Sequence, residues 1–107
     1  MPDEALVCRG GTCTADRFEK GAGVTLDAVG CLYGVSVNSA ASKDPAELSA
    51  SIPNRRIGVT TVGDVRAAGG EVTAASTVNN PDHCHLHGIS AKVAETLFSP
   101  TVRNPNR

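Results

Sequence analysis

The seven residues Leu-Tyr-Gly-Val-Ser-Val-Asn at positions 32–38 decide the fold class. Apolar and polar side chains alternate along this stretch, and successive side chains of a β-strand point to opposite faces of a sheet. The alternation predicts a strand with two faces: Tyr33, Val35 and Val37 on one, Ser36 and Asn38 on the other. Because short helical patterns flank this strand on both sides, the expected class is α+β.

The rest of the chain adds further short strands and helices to this one. Apolar or β-branched runs that stop at turn signals predict strands at 5–9, 57–62 and 71–73, with a strand edge at 84–87. Capping residues followed by helical spacing predict helices at 14–20, 44–50, 64–68 and 90–98. The tail at 101–107 is expected to be frayed. With no repeat and no linker, residues 1–107 form one predicted domain.

Composition favours a globular chain with an aliphatic core. Hydrophobic residues make up 40% of the sequence but aromatic residues only 3%, and the net charge of −1 comes without any basic block. Electrostatic capture by nucleic acid or by an anionic membrane is therefore not expected. The N-terminus is acidic, unlike a secretory signal, and no apolar run approaches the roughly 18 residues of a membrane-spanning helix. We expect no membrane segment and no signal peptide.

Four cysteines could form two disulfides in any of three connectivities, and the sequence does not separate them. The absence of a signal peptide favours reduced thiols. The histidine cluster at 83–87 and the pair Cys8 and Cys13 contain zinc-ligand residue types, but neither has the usual spacing of zinc ligands. We therefore predict no metal site.

Three polar positions beside predicted strands are candidates for chemistry. Arg9 ends a strand before Gly10 and Gly11, where a guanidinium fork and a bare backbone suit a phosphate group; an exposed arginine before a turn is the alternative. Ser36 is either solvated or orients a neighbouring arginine. His83 is a candidate general base or donor to a ribose hydroxyl, since free imidazole titrates near neutral pH; an ordinary surface histidine is the alternative.

The order of these motifs resembles a known family. Arg-Gly-Gly at 9–11, Gly-Val-Ser-Val at 34–37, Ile-Pro at 52–53 and Pro-x-His at 81–83 before a terminal helix are similar to ADP-ribosyltransferase-like toxin domains. Such domains lie at the C-termini of Rhs and other polymorphic toxins. The chain also resembles cytotoxic type VI secretion effectors with this fold. The resemblance implies two small packed sheets with short flanking helices around a cleft for NAD. It also implies that Arg9 and Gly10 contact the cofactor, that Ser36 braces Arg9, and that His83 contacts cofactor or substrate.

The activity implied by the resemblance is that of an antibacterial toxin in interbacterial competition. The chain would transfer ADP-ribose from NAD, or consume NAD, in the cytoplasm of a target cell after secretion or injection. The acceptor, protein or RNA, is not identified; a cognate immunity protein is the implied partner, and a monomer is expected. The family's Glu-x-Glu or Gln-x-Glu pair is absent here, and in the third motif the nearest acid is Asp82.

The same residues are compatible with two other functions. In a metal-independent ribonuclease toxin, His83 or His85 would act as general base and Arg9 would stabilise the charged transition state. In a non-catalytic binding module, the same arginine and histidines would be ordinary surface residues.

Overall fold

Most of the chain is organised around one β-sheet. The computed structural model describes all residues from 1 to 107. The strands are Leu6–Gly10 (β1), Thr25–Leu26 (β2), Leu32–Tyr33 (β3), Val35–Ala40 (β4), Arg56–Thr61 (β5), Glu71–Ala74 (β6), His83–His87 (β7) and Val102–Arg103 (β8). The helices are Ala15–Glu19 (α1), Pro45–Leu48 (α2), Val62–Ala67 (α3) and Ala91–Leu97 (α4).

Six strands form a single antiparallel sheet in the order β6-β7-β4-β1-β5-β8, and β2 pairs with β3 in a separate two-stranded sheet. The α+β class predicted from the sequence is confirmed. The strands are divided unequally, because the second sheet contains only four residues. None of the helices has the length and apolar character needed to span a membrane.

The main core lies between the large sheet and helices α1, α3 and α4. Val7 and Val35 of the sheet pack there with Phe18 of α1 and with Phe98, which caps α4. The Phe18 and Phe98 rings are tilted, with centroids 5.4 Å apart, an arrangement that aromatic pairs favour. A smaller cluster on the opposite face of the sheet packs against α2, through Cys8, Leu48, Ile52 and Ile57.

Side-chain caps fix the starts of the four helices. Thr14, Thr61 and Ser90 each accept a hydrogen bond from the backbone N–H three residues ahead, and Asp44 forms a complete capping box with Glu47. The expected capping by Asp44 and Ser90 is confirmed. Such caps matter in this chain because its helices are only four to seven residues long and cannot be stable alone.

Three expectations about individual elements are wrong. Gly34 adopts a φ of +80° and divides the predicted strand, so Tyr33 turns to the opposite face from Val35 and stacks on the His87 ring instead. The strand containing the histidines is not an edge but lies between β4 and β6. The tail is not frayed either, because β8 pairs with β5 and Asn104 is completely buried.

Candidate functional site

Strands β1 and β4 separate partway along the sheet. They pair at Leu6, Val7 and Cys8, and the last matched pair is Cys8 with Asn38. Beyond this point β1 continues to pair with β5 as far as Gly10, whereas β4 pairs only with β7. The sheet therefore has an opening in its middle, and the glycine-rich end of β1 forms one side of that opening.

Arg9 spans the opening. Its Nη1 atom donates a hydrogen bond to the main-chain carbonyl oxygen of Ser36 at 2.7 Å, and its guanidinium group lies over the Phe18 ring, 5.2 Å from the centroid. A Cβ atom at Gly21 would lie 3.0 Å from Nη2, so this glycine leaves room for the guanidinium group. Burial lowers the pKa of Arg9, because the charged group has lost part of its water.

Two cavities meet at Arg9. The smaller has a volume of about 260 Å³ and is lined by Ser36 and His83 among others, and the larger, of about 670 Å³, lies beside α1. Arg9, Gly10 and Asn54 line both. The structure thus brings together the four residues that the family resemblance suggested for an NAD site, Arg9, Gly10, Ser36 and His83, whereas His85 lies outside both cavities. The larger cavity falls within the range of roughly 300–1,000 Å³ that is usual for small-ligand and cofactor sites, and the smaller one lies just below that range.

Ser36 contacts Arg9 through its backbone and not through its hydroxyl group. The side chain is exposed, lies on the face of β4 opposite to Val35 and Val37, and makes no hydrogen bond within the chain. The expected bracing of Arg9 is therefore a property of the main chain at this position. The hydroxyl group remains available to a ligand in the smaller cavity.

His83 is held in one orientation by a neighbouring loop. Its Nδ1 atom lies 2.9 Å from the carbonyl oxygen of Ala75, and since a carbonyl can only accept, Nδ1 carries the proton. The other ring nitrogen, Nε2, is then the atom that can accept a proton from a ligand. The His85 ring meets the His83 ring edge to face, with centroids 5.2 Å apart on the same side of β7.

The sequence reasoning missed three asparagines that line the smaller cavity. Asn38 is buried, donates to the carbonyl oxygen of Leu48 at 2.9 Å, and accepts from the Asn80 side chain at 2.9 Å. Asn54 fills the space beside Gly10, where a Cβ would overlap it. An asparagine in a strand is uncommon, so Asn38 was a usable signal; the other two lie in loops.

Acidic groups are scarce around the two cavities. Asp16 is the only carboxylate that lines either of them, and it forms an ion pair with Lys20 at 3.2 Å. Asp82, the acid nearest to the third motif, lies outside both cavities and binds Lys43 at 2.8 Å, and this hydrogen bond raises the pKa of Lys43.

The histidines and cysteines do not assemble into a metal centre. No three side chains of His, Cys, Asp or Glu converge as metal ligands would, and none of the four cysteines forms a disulfide. Burial raises the pKa of Cys8 to about 11 and also raises the pKa of Cys13 and Cys84. Such thiols stay protonated near neutral pH, which makes them poor nucleophiles.

Comparisons with protein families, with curated proteins and with solved structures found no match to this chain.

Proposed function

We propose that this chain is an NAD-consuming toxin domain with an ADP-ribosyltransferase-like fold, whose site is the opening between β1 and β4. The observation that carries the proposal is the meeting of Arg9, Ser36 and His83 at one cavity. These residues come from three different elements of the chain, in the motif order that resembles the toxin family.

The guanidinium group of Arg9 is suited to bind an anionic ligand. Only one of its N–H donors is used within the chain, no carboxylate pairs with it, and burial has removed part of its water. A phosphate oxygen would gain more from such a donor than from a fully hydrated arginine, because less water must be displaced. Gly11 allows the ligand to approach the backbone closely, since the atom nearest to an added Cβ at this position would be 3.8 Å away.

The chemistry proposed is breakage of the bond between nicotinamide and the ribose C1′ atom. Nicotinamide leaves with the bonding electron pair, and water or an acceptor nucleophile attacks C1′ and releases a proton. Nε2 of His83 is suited to take that proton, and the Ser36 hydroxyl to hydrogen-bond the ribose. No carboxylate lines the smaller cavity, so in this scheme the positive charge that develops on the sugar is stabilised by neutral acceptors such as the Ser36 hydroxyl group.

The test is an assay of nicotinamide release from NAD by the purified chain, alone and with bacterial lysate as the source of acceptor. We expect release by the unmodified protein and loss of at least 100-fold in Arg9→Ala, about the effect of removing one transition-state donor. Arg103→Ala, an exposed arginine outside both cavities, is the matched control. No release under either condition would remove the proposal.

A ribonuclease is the second candidate, and the contact between the His83 and His85 rings favours it. Two imidazoles on one face of a strand are able to divide the roles of general acid and general base, with Arg9 on the phosphate. Incubation with labelled RNA in EDTA distinguishes the two candidates. Strand cleavage that depends on both histidines, without nicotinamide release, would establish the ribonuclease.

Toxicity and a protective partner also belong to this proposal, through the family resemblance. Expression in a bacterial cytoplasm is expected to stop growth, and Arg9→Ala is expected to restore it. A cognate immunity protein that binds this chain is the proposed partner. Normal growth during expression of the unmodified chain would contradict the toxin assignment.

A further inference from the structure

The larger cavity has a lining unlike the rest of the molecule. None of its nine lining residues is hydrophobic, and the charged ones are Arg9, Arg17, Lys20 and Asp16. Three cations against one anion give this cavity a positive charge, in a chain whose net charge is −1. Positive charge gathered in a concave site attracts anions more effectively than the same charges spread over a surface.

The cations of this cavity are largely uncommitted. Neither Arg9 nor Arg17 pairs with a carboxylate, and the Arg17 side chain makes no hydrogen bond within the chain. Lys20 pairs with Asp16, but both side chains are more than two-thirds exposed, and such surface pairs exchange readily with another anion. Arg17 and Lys20 can therefore turn to a ligand, and Arg9, held by the Ser36 carbonyl oxygen, presents its remaining N–H donors.

Thr12 supplies neutral donors to the same cavity. Its backbone N–H and its hydroxyl group make no hydrogen bond within the chain, and it follows Gly11, whose φ of +99° is a conformation that favours glycine. The turn thus presents its backbone to the cavity. Guanidinium, ammonium, hydroxyl and amide donors, without hydrophobic contacts, are the groups that bind phosphate oxygens.

We infer that the larger cavity is a pyrophosphate subsite in which Arg17 and Lys20 bind the phosphates together with Arg9. Since Arg9 lines both cavities, it also fixes the direction of a dinucleotide. The phosphates lie on the α1 side, and the nicotinamide riboside lies on the side of Ser36 and His83. This direction rests on the proposed function, whereas the binding of pyrophosphate itself does not.

The test is calorimetric titration with inorganic pyrophosphate and with ADP-ribose at about 0.15 M ionic strength, where distant surface charges are screened. The double variant Arg17→Ala/Lys20→Ala is compared with Arg103→Ala/Lys92→Ala, which removes the same charge from exposed positions outside the cavities. We expect the first to weaken Kd by at least tenfold for both probes, and the second by less than about threefold, as for non-local screened charges. Thermal melts check that both variants fold, since all four side chains are exposed.

The outcomes separate this inference from the proposed function. Loss of pyrophosphate binding in Arg17→Ala/Lys20→Ala alone supports the subsite, even if NAD is never cleaved. An equal loss of pyrophosphate affinity in both double variants overturns the subsite, even if nicotinamide is released. Failure of the unmodified chain to bind pyrophosphate overturns it as well. Single-stranded RNA that competes with pyrophosphate more strongly than ADP-ribose does would overturn the assignment to a dinucleotide.

Discussion

The guanidinium group of Arg9 hydrogen-bonds the main-chain carbonyl oxygen of Ser36 at 2.7 Å, where β1 and β4 are no longer paired. The Arg9 side chain thereby donates to a backbone carbonyl oxygen that would accept from a neighbouring strand if the two strands were still paired. This contact joins the two sides of the opening. It also fixes the arginine at the meeting point of the two cavities, so one residue serves both the fold and the proposed site.

Replacing Arg9 by lysine is expected to weaken ligand binding more than it weakens the fold. An ammonium group cannot hydrogen-bond Ser36 and also present a planar fork to a phosphate. We expect Arg9→Lys to raise the Kd for ADP-ribose about tenfold, or roughly 1.4 kcal/mol. The free energy of unfolding, measured with urea, should fall by about 1–2 kcal/mol through the poorer contact with Ser36 and Phe18.

Arg103→Lys is the control, since the same change at an exposed position should alter neither quantity. An unchanged Kd in Arg9→Lys would mean that Arg9 acts only as a structural bridge.

Ser36→Ala is expected to leave the bridge intact. The substitution keeps the carbonyl oxygen that accepts from Arg9 and removes only an exposed hydroxyl group, so the free energy of unfolding should change by less than about 0.5 kcal/mol. If the hydroxyl contacts the ribose, nicotinamide release should fall by about tenfold or more. Urea unfolding and the nicotinamide assay measure the two effects separately. A destabilisation as large as that of Arg9→Ala would contradict the assignment of the bridge to the main chain.

The cysteines should differ in their reactivity in the native state. Cys8, Cys13 and Cys84 are buried and their pKa values are raised, that of Cys8 to about 11, whereas Cys31 is only half-buried. Because the thiolate is the reactive form, iodoacetamide at pH 8 should modify Cys31 alone, and denaturant should expose all four. Intact mass measures the number of labels. Any label on native Cys31→Ser protein would contradict this ranking.

The elements that the sequence identified are those governed by local chemistry. Helix caps such as Asp44 and Ser90, and strand β1, predicted at 5–9 and observed at Leu6–Gly10, follow from a few adjacent residues. The convergence of Arg9, Ser36 and His83 was an expectation from motif order, and the pairing of β4 with both β1 and β7 is what places them together. The order of the strands in the sheet cannot be predicted from the local hydrophobic periodicity of the sequence.

The features that were missed depend on contacts between distant residues. The break in the strand at Gly34 could not be predicted, because it depends on the positive φ of this residue. In the sequence, apolar and polar residues alternate without interruption across Gly34. The tail was expected to fray because asparagine, proline and arginine are typical of exposed ends. What holds the tail is a set of hydrogen bonds from Asn104 to a loop about 50 residues earlier in the chain.

Asn104→Ala is expected to be strongly destabilising and to disturb the wall of the smaller cavity. The Asn104 amide is fully buried and donates to the carbonyl oxygens of Ile52 and Asn54, both at 3.0 Å, and these two residues line that cavity. Losing the amide leaves the Asn54 carbonyl oxygen without its donor and the Asn106 N–H without its acceptor, so the free energy of unfolding should fall by about 2–4 kcal/mol. Hydrogen exchange at 52–55 should accelerate in parallel, and ADP-ribose should bind more weakly. Asn79→Ala, an exposed asparagine without side-chain hydrogen bonds, should cost under about 0.5 kcal/mol; equal effects of the two substitutions would show that the tail does not hold this loop.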